Sequence, residues 1–348
     1  MNNRLKTTVK EAFTEMRYHH LNNKAAQSLL QTIETERGKT SSKIKRLSME
    51  YAHDVFGWKG YAPWLTVYAA IAGDFIEGWI PENYYGWVVI PRIKGLYGKI
   101  SNARALTPQL FASEQLLDLA YYVNGLFLST KMEVLNIESL KNCIFDNNHT
   151  IAYKSDISLQ GRGIHFFNKD TFEIDEIYKI GNGVFQKYIC QHGFFEAFMP
   201  HSVATIRITS VFEDNGNVTC RAAYLRIGRL SDTHIKSKTA IKIPVCLTTG
   251  ELYEEGYLTN WQTVKCHPDT KTAFSGKVIP QFGKCIAYII KLHKKIPYCR
   301  SIGWDIILDK NDEIQLIEWN GEHNDIKFSE ATQGPCFADM GWENIWKK

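Results

Sequence analysis

From Cys143 onward the sequence breaks into short β-rich runs parted by turn residues, and one clean helical stretch, about Pro280–Lys295, interrupts them. The runs are Thr150–Lys154, Ile164–Asn168, Val184–Cys190, Ser202–Glu213, Val218–Ile227, Ile302–Leu308 and Ile314–Trp319. Parallel neighbours need a crossover between them, usually a helix, and most of these runs follow one another without one. The expected class is therefore α+β rather than a doubly wound sheet. Upstream the pattern differs. Residues 1–57 space their apolar residues helically, with Leu21, Ala25, Leu29 and Ile33 predicted to share a face. Gly57 to Gly98 is aromatic-rich and punctuated by Pro63, Pro81, Pro91 and several glycines, which suits short elements and turns. Thr107–Leu119 turns helical again, with Pro108 in the first turn.

A chain of 348 residues exceeds one small core, so two or three packed domains are expected. Hydrophobic residues make up 44%, which excludes a disordered chain. The net charge of +4 arises in the first fifty residues, where ten Lys and Arg meet five Glu. That segment is either a docking surface for an anionic partner or membrane, or a solvated helical face. No aromatic or Gly-rich RNA-binding pattern accompanies it, so no nucleic-acid partner is expected. Eight cysteines without a C-x-x-C pair argue against a zinc ribbon and a disulfide framework. The N-terminus MNNRLKTTVKEAF has no apolar signal-peptide region, and the longest apolar run, Tyr61–Ala72, is too short to span a bilayer. A cytoplasmic protein is the resulting expectation.

Two hairpins carry the chemistry. Asn215-Gly216 between β-rich runs predicts a two-residue turn that pairs Arg207 with Tyr224 and Thr205 with Arg226. Thr205, Arg207, Tyr224 and Arg226 then share one face, over an apolar face of Ile206, Ile208, Phe212, Ala223 and Leu225, with Arg221 as the exception. Guanidinium forks match phosphate oxygens, so the polar face suits a phosphate-bearing ligand, although a plain solvent-facing sheet has the same alternation. In the second hairpin, a loop at Asn311-Asp312 sets Asp305 opposite Glu318, with Asn320 on the same face. Opposed carboxylates amid apolar neighbours need a shared proton, a bridging Lys or Arg, or a cation. Two carboxylates and an amide oxygen form a hard set suited to Mg²⁺ bridging to phosphates. A third feature is the strand ending in Lys154, followed by a Gly-containing loop, SDISLQGRGI, whose backbone N–H groups can wrap phosphate oxygens.

In order, the strand ending in Lys154, SLQGRGI, VFQKYICQH, SVATIRITS, RAAYLRIGR, HPDT, IGWD and IEWN resembles the ATP-grasp superfamily. Within it the chain is similar to the sugar-transfer-associated branch, over about residues 80–335. The resemblance implies two α+β lobes clasping ATP. Residues 1–100 would form a helical, aromatic-rich N-terminal region, 101–188 the first lobe with the Gly-rich loop, and 189–348 the second lobe with the metal-binding hairpin. It also implies ATP and Mg²⁺ as cofactors. Lys154 would contact the phosphates, under a loop comprising Ser158, Gln160, Gly161, Arg162 and Gly163. Gln186, Lys187, Tyr188 and Ile189 would form the inter-lobe segment whose backbone reads the adenine edge, and Glu196 would touch the ribose. Arg207 and Arg226 would bind the γ-phosphate or an acyl-phosphate; Asp305, Glu318 and Asn320 would hold Mg²⁺. After LRIGR the branch usually shows a DN…GG-like stretch, whereas this chain has SDTHIKSKTAIKI, keeping only Asp232. The implied activity is a carboxylate–amine ligase of surface polysaccharide or sugar-conjugate biosynthesis, its partners a small or sugar-linked carboxylate and an amine. A sugar or polyol kinase on the same scaffold, or a nucleotide-binding module of a glycan-assembly complex, are the alternatives.

Overall fold

The structure is a computed structural model describing residues 2–111, 116–156, 163–200, 202–230 and 239–347, with side chains from Lys10 onward. Its contacts divide the chain into two units: Met1–Gly95 with Asn260–Thr263 and His323–Lys348, and Leu96–Thr259 with Val264–Glu322.

The first unit is helical. It comprises α1 (Asn2–Arg37), α2 (Ser42–Phe56), α3 (Ala62–Ala72) and shorter pieces. The Ser41 side chain accepts from Ile44 N at 3.2 Å to start α2, and Gly57 ends it in the left-handed region at φ 76°. α3 is apolar on nearly every side because α1, α2 and the helix Lys327–Gln333 all pack against it. On α1 the buried stripe is His19, Ala26 and Ile33, whereas Leu21 is 53% exposed and Ala25 is exposed. The predicted face was wrong because four-residue steps drift around the helix by about 40° each, while seven-residue steps hold their azimuth. Residues 323–348, assigned from sequence to the stretch 189–348, cluster with this unit instead. The buried Glu330 carboxylate accepts Ile80 N at 2.7 Å and Cys336 N at 2.8 Å. Glu82 likewise accepts Ile326 N at 2.9 Å.

The second unit holds two sheets. The strands of the first are β1 (Asp118–Val123), β2 (Leu126–Ser129), β3 (Val134–Leu135), β4 (Thr150–Ser155), β5 (Ile164–Asn168) and β6 (Gly183–Lys187), in the order β3-β2-β1-β6-β4-β5. Those of the second are β7 (Thr205–Phe212), β8 (Val218–Ile227), β9 (Ile241–Pro244), β10 (Gly256–Tyr257), β11 (Thr263–Val264), β12 (Ser301–Leu308) and β13 (Ile314–Asn320), in the order β11-β10-β9-β8-β7-β12-β13. The α+β class with a helical N-terminal region is what the chain has. Of the stretch Thr107–Leu119 read as helical, Thr107–Phe111 is a helix, whereas its end belongs to the strand Asp118–Val123. Its Leu-Ala-Tyr-Tyr-Val run favours the pleat, and Asn124 (φ 49°) and Gly125 (φ 88°) form the two-residue turn into β2.

Each sheet buries one face. Ile151, Tyr153 and Phe185 enter the core of the six-stranded sheet. Ile206, Ile208, Ala223, Leu225, Trp304, Ile306 and Trp319 enter that of the seven-stranded sheet, against the helix Phe282–His293. The opposite faces are left to carry polar groups.

Both predicted hairpins have loops one residue longer than their dipeptides suggest. Glu213 N bonds Asn217 O, and Asp309 N bonds Glu313 O, closing three-residue loops whose last residues, Gly216 (φ 85°) and Asp312 (φ 64°), are left-handed. A bulge then restores each register, at Arg221 in β8 and at Ile317 in β13. Thr205 faces Arg226, Arg207 faces Tyr224 and Asp305 faces Glu318, the pairs predicted. Arg221 is an exception to the apolar face because it is the bulged residue, and it bonds Glu213 at 2.7 Å. All eight cysteines are free thiols. Among the described residues no helix is long and apolar enough to cross a membrane.

Candidate active site

Strand pairing places the charged groups of β7, β8, β12 and β13 in one row. Asp305 lies between Arg207 on one side and Glu318 on the other. Arg207 grips it with a fork, Nε to Oδ1 at 2.5 Å and Nη2 to Oδ2 at 2.8 Å, and Arg226 Nη1 stands 3.5 Å from Oδ2. Burial favours the neutral acid at Asp305, but Arg207 and then Arg226 outweigh it and hold the carboxyl below the usual carboxylate range. Asn320 Nδ2 donates to Gly303 O at 3.1 Å and lies 3.5 Å from Asp305 Oδ2. Lys242 on β9, cross-strand from Arg226, lies over the Tyr224 ring at 5.5 Å and extends the basic row.

The six-stranded sheet supplies the other wall. Lys154 on β4 faces Val184, and Ala152 faces Gln186. Lys154 is 8% exposed, and its Nζ lies 3.5 Å from Ile317 O on β13. Burial pulls its ammonium down to about 8, against the opposing attraction of Glu318. The loop after it is closed at its base by Ser155 N donating to Gly163 O at 3.0 Å, with Gly163 left-handed at φ 89°. Ser158, Gln160, Gly161, Arg162 and, after β8, Asp232 lie outside the described residues.

Between the two sheets is a cavity lined by Arg104, Asp118, Val184, Gln186, Leu316 and Glu318, among others. Val184 and Leu316 make it apolar in part, while its charged groups converge at the Glu318 end. Arg104 Nη1 is 3.6 Å from Glu318 Oε2, and its Nε is 4.0 Å from Asp156 Oδ1. Gln186 Nε2 donates to Asp118 Oδ1 at 2.7 Å.

The fold thus gathers Arg207, Arg226 and Asn320 at Asp305, with Glu318 paired beside it and Lys154 reaching β13, and of the predicted residues Gln186 and Glu318 line the cavity. Within the segment Gln186–Ile189 the Gln186 side chain lines the cavity, those of Lys187 and Tyr188 are exposed, and that of Ile189 packs on the core of the seven-stranded sheet. Glu196 is exposed on the short helix Gly193–Glu196 and does not line the cavity either. His267 is structural: its Nδ1 accepts Asp269 N and Thr270 N at 3.2 Å, so Nε2 carries the proton and donates to Gly228 O at 2.9 Å. Arg104 and Asp118 were missed from the sequence. Asp118 has a usable signal, a lone carboxylate in the apolar run Leu116–Val123; Arg104, on a short 3₁₀ turn, has none.

Among the described residues no three His, Cys, Asp or Glu side chains converge as a metal site. The candidate set is instead two carboxylates and one amide. The Arg207 fork uses one lone pair on each Asp305 oxygen and leaves another, so Asp305 and Glu318 retain hard oxygen donors fit for a divalent cation, while Asn320, whose NH₂ faces Gly303 O and Asp305, would turn its amide to add its oxygen.

Two antiparallel sheets with a cavity between them, beside a row of charged groups on β7, β8, β12 and β13, make this an α+β protein with one candidate site. Residues 178–339 match the family model described as sugar-transfer associated ATP-grasp, which bears out the resemblance read from the motifs. Solved structures with a similar fold include a biotin carboxylase–β,γ-ATP complex from Campylobacter jejuni, at 15% identity and TM-score 0.46, covering 93% of this chain and 68% of that one. An ADP complex of N5-carboxyaminoimidazole synthetase from Staphylococcus aureus has 12% identity and TM-score 0.40, with coverage of 72% and 52%. The biotin carboxylase domain of Hydrogenobacter thermophilus 2-oxoglutarate carboxylase, with MgADP and bicarbonate, has 15% identity, TM-score 0.36, and coverage of 67% and 40%. The chain thus spans about half the length of the last two. Comparison with curated protein sequences gives no match.

Proposed function

We propose that this chain is an ATP-dependent ligase joining a carboxylate to an amine, with a sugar-linked carboxylate of surface polysaccharide or sugar-conjugate biosynthesis as the substrate class. The observation that carries the reading is the approach of Lys154, from one sheet, to the row of Arg207, Arg226, Asp305, Glu318 and Asn320 on the other. Phosphoryl transfer needs positioning and charge neutralisation more than a protein nucleophile. Lys154 and the two arginines neutralise phosphate oxygens, and the apolar walls at Val184 and Leu316 receive a base. Asp305, Glu318 and Asn320 would hold Mg²⁺, which when bound neutralises charge between the β- and γ-phosphates. In the proposed reaction a substrate carboxylate oxygen bonds to the γ-phosphorus as the bond to ADP breaks, giving an acyl-phosphate. The amine then bonds to the acyl carbon, phosphate leaves, and the amine loses a proton.

The test is ADP release in the presence of Mg²⁺ with uronic acids and amines, supplied separately and together. Turnover that requires both and yields an amide fits the ligase reading; turnover sustained by a hydroxyl compound alone, with no carboxylate active, makes the enzyme a kinase instead.

Two further outcomes are expected at this site. Arg226→Ala should weaken ATP binding about 10- to 100-fold, the scale of one charge-assisted bond, with little change for adenosine. Equal losses for both, measured by calorimetry, would refute a phosphate role. Lys154 gives a pH signature. Polyphosphate favours its charged form, so ATP binding should take up a proton above about pH 8, and affinity should fall as pH rises further. Lys154→Arg should remove that break. In the free protein the sign is opposite: the folded value lies below the ordinary 10.5, so the unfolded chain binds more protons between about 8 and 10.5 and stability contributed by this group rises across that window.

A further inference from the structure

Asp118 and Gln186 face each other directly across β1 and β6, and both line the cavity. Asp118 accepts two hydrogen bonds at 2.7 Å, from Gln186 Nε2 and from the Tyr121 hydroxyl. Burial pushes the Asp118 carboxyl up, but both of its oxygens accept here, so the carboxylate fixes which end of the Gln186 amide it meets. The amide is planar, and with its NH₂ held by Asp118 its oxygen points the other way. That oxygen is buried and has no hydrogen-bond partner among the described residues, and the side chain is only 6% exposed. A buried carbonyl left without a donor is unfavourable, and a ligand that brings an N–H relieves it.

We propose that Asp118 selects the purine: by fixing the Gln186 amide with its oxygen toward the base, it makes the site take a base with an exocyclic amino group and reject one with a carbonyl there. This rests on the nucleotide reading above and extends it to base choice. Asp118 is a positioning residue, and Gln186 is the group that touches the base. A carbonyl set against the Gln186 oxygen would oppose two acceptors, and the amide cannot rotate to offer its NH₂ without breaking the bond to Asp118.

The experiment measures equilibrium binding of MgATP and MgITP to the full chain, ITP carrying a carbonyl where ATP has the amino group. Wild type is expected to prefer ATP by roughly 10- to 100-fold, the scale of one buried hydrogen bond. In Asp118→Asn the new amide can present either C=O or N–H to Gln186, so the preference should collapse to about threefold or less, chiefly through tighter ITP binding. Gln186→Leu should collapse it as well, through loss of ATP affinity, and serves if the first variant does not fold. A purely structural role for Asp118 would weaken both nucleotides together and leave their ratio alone. No preference in wild type, or a preference retained in either variant, overturns the proposal. A wild-type protein that binds neither triphosphate overturns it too, but by removing the nucleotide reading itself.

Discussion

Glu318→Gln is expected to lower Mg²⁺-dependent ATP turnover by about 10²- to 10³-fold, the range seen when one preorganised electrostatic group is removed. The substitution keeps the side-chain volume and one oxygen while deleting the charge that a divalent cation needs. Glu318 is about one-third exposed, so its neutral replacement costs little by itself, although Lys154 and Arg104 lose an opposing charge. The melting temperature should therefore stay close to that of wild type, and a thermal melt run beside the ADP assay separates lost chemistry from lost fold. Full activity in this variant would end the metal assignment. Asp305→Asn should also abolish turnover, but with a stability loss, because Arg207 would then lose its charged partner.

The largest effect on stability is expected from Arg207→Ala. Asp305 is 2% exposed and its carboxylate is held by the Arg207 fork. Removing one partner of a buried pair leaves the other charged and desolvated, at a cost of about 3–5 kcal/mol. Asp305 would escape part of that by taking up a proton, so the deficit should shrink as pH falls from neutral toward the ordinary carboxylate range. In wild type the sign is the reverse. The depressed Asp305 contributes stability that is fully present above the unfolded-state pKa and is lost as pH falls through its folded-state value. Replacing both residues by leucine should recover most of the loss, since apolar packing can substitute for a buried ion pair. Chemical denaturation of the single and double variants at two pH values would decide it. An Arg207→Ala protein as stable as wild type would mean that the fork contributes nothing to the fold.

Much of this architecture was legible in the chain, and the reasons are physical. A period of two with apolar residues on one side is hard to misread, so the faces of β7 and β8 followed directly, whereas in β12 and β13, apolar on both sides, only the turn placed Asp305 opposite Glu318. The hairpin loops were misjudged, because a dipeptide names a turn but not whether the residue before it joins the loop. The pairs Arg207–Tyr224 and Asp305–Glu318 came out right only because Arg221 and Ile317 bulge by one residue and cancel the longer loops. Asn124-Gly125, the pair that does form a two-residue turn, lies just past the stretch read as helical and was given no turn. Arg104 and Asp118 meet Glu318 and Gln186 only through long-range folding, and no local spacing announces such a meeting. The stripe on α1 failed for a different reason, since long helices amplify a small error in assumed pitch.

The way the chain passes between its units has a consequence for how the protein is made on the ribosome. The first unit opens the sequence, yields at Gly95 and resumes in strength only at His323. Its Ile80 amide and Trp79 indole bond Glu330, and both rings and backbone of that region await a segment some 250 residues downstream. Synthesis runs from the N-terminus, so the sheets that carry the candidate site are complete while the helical unit still lacks its closing helix. The early helices must therefore hold a set of aromatic side chains uncovered through most of translation. A nascent chain halted near residue 322 would carry both sheets complete beside a helical unit still lacking its last segment.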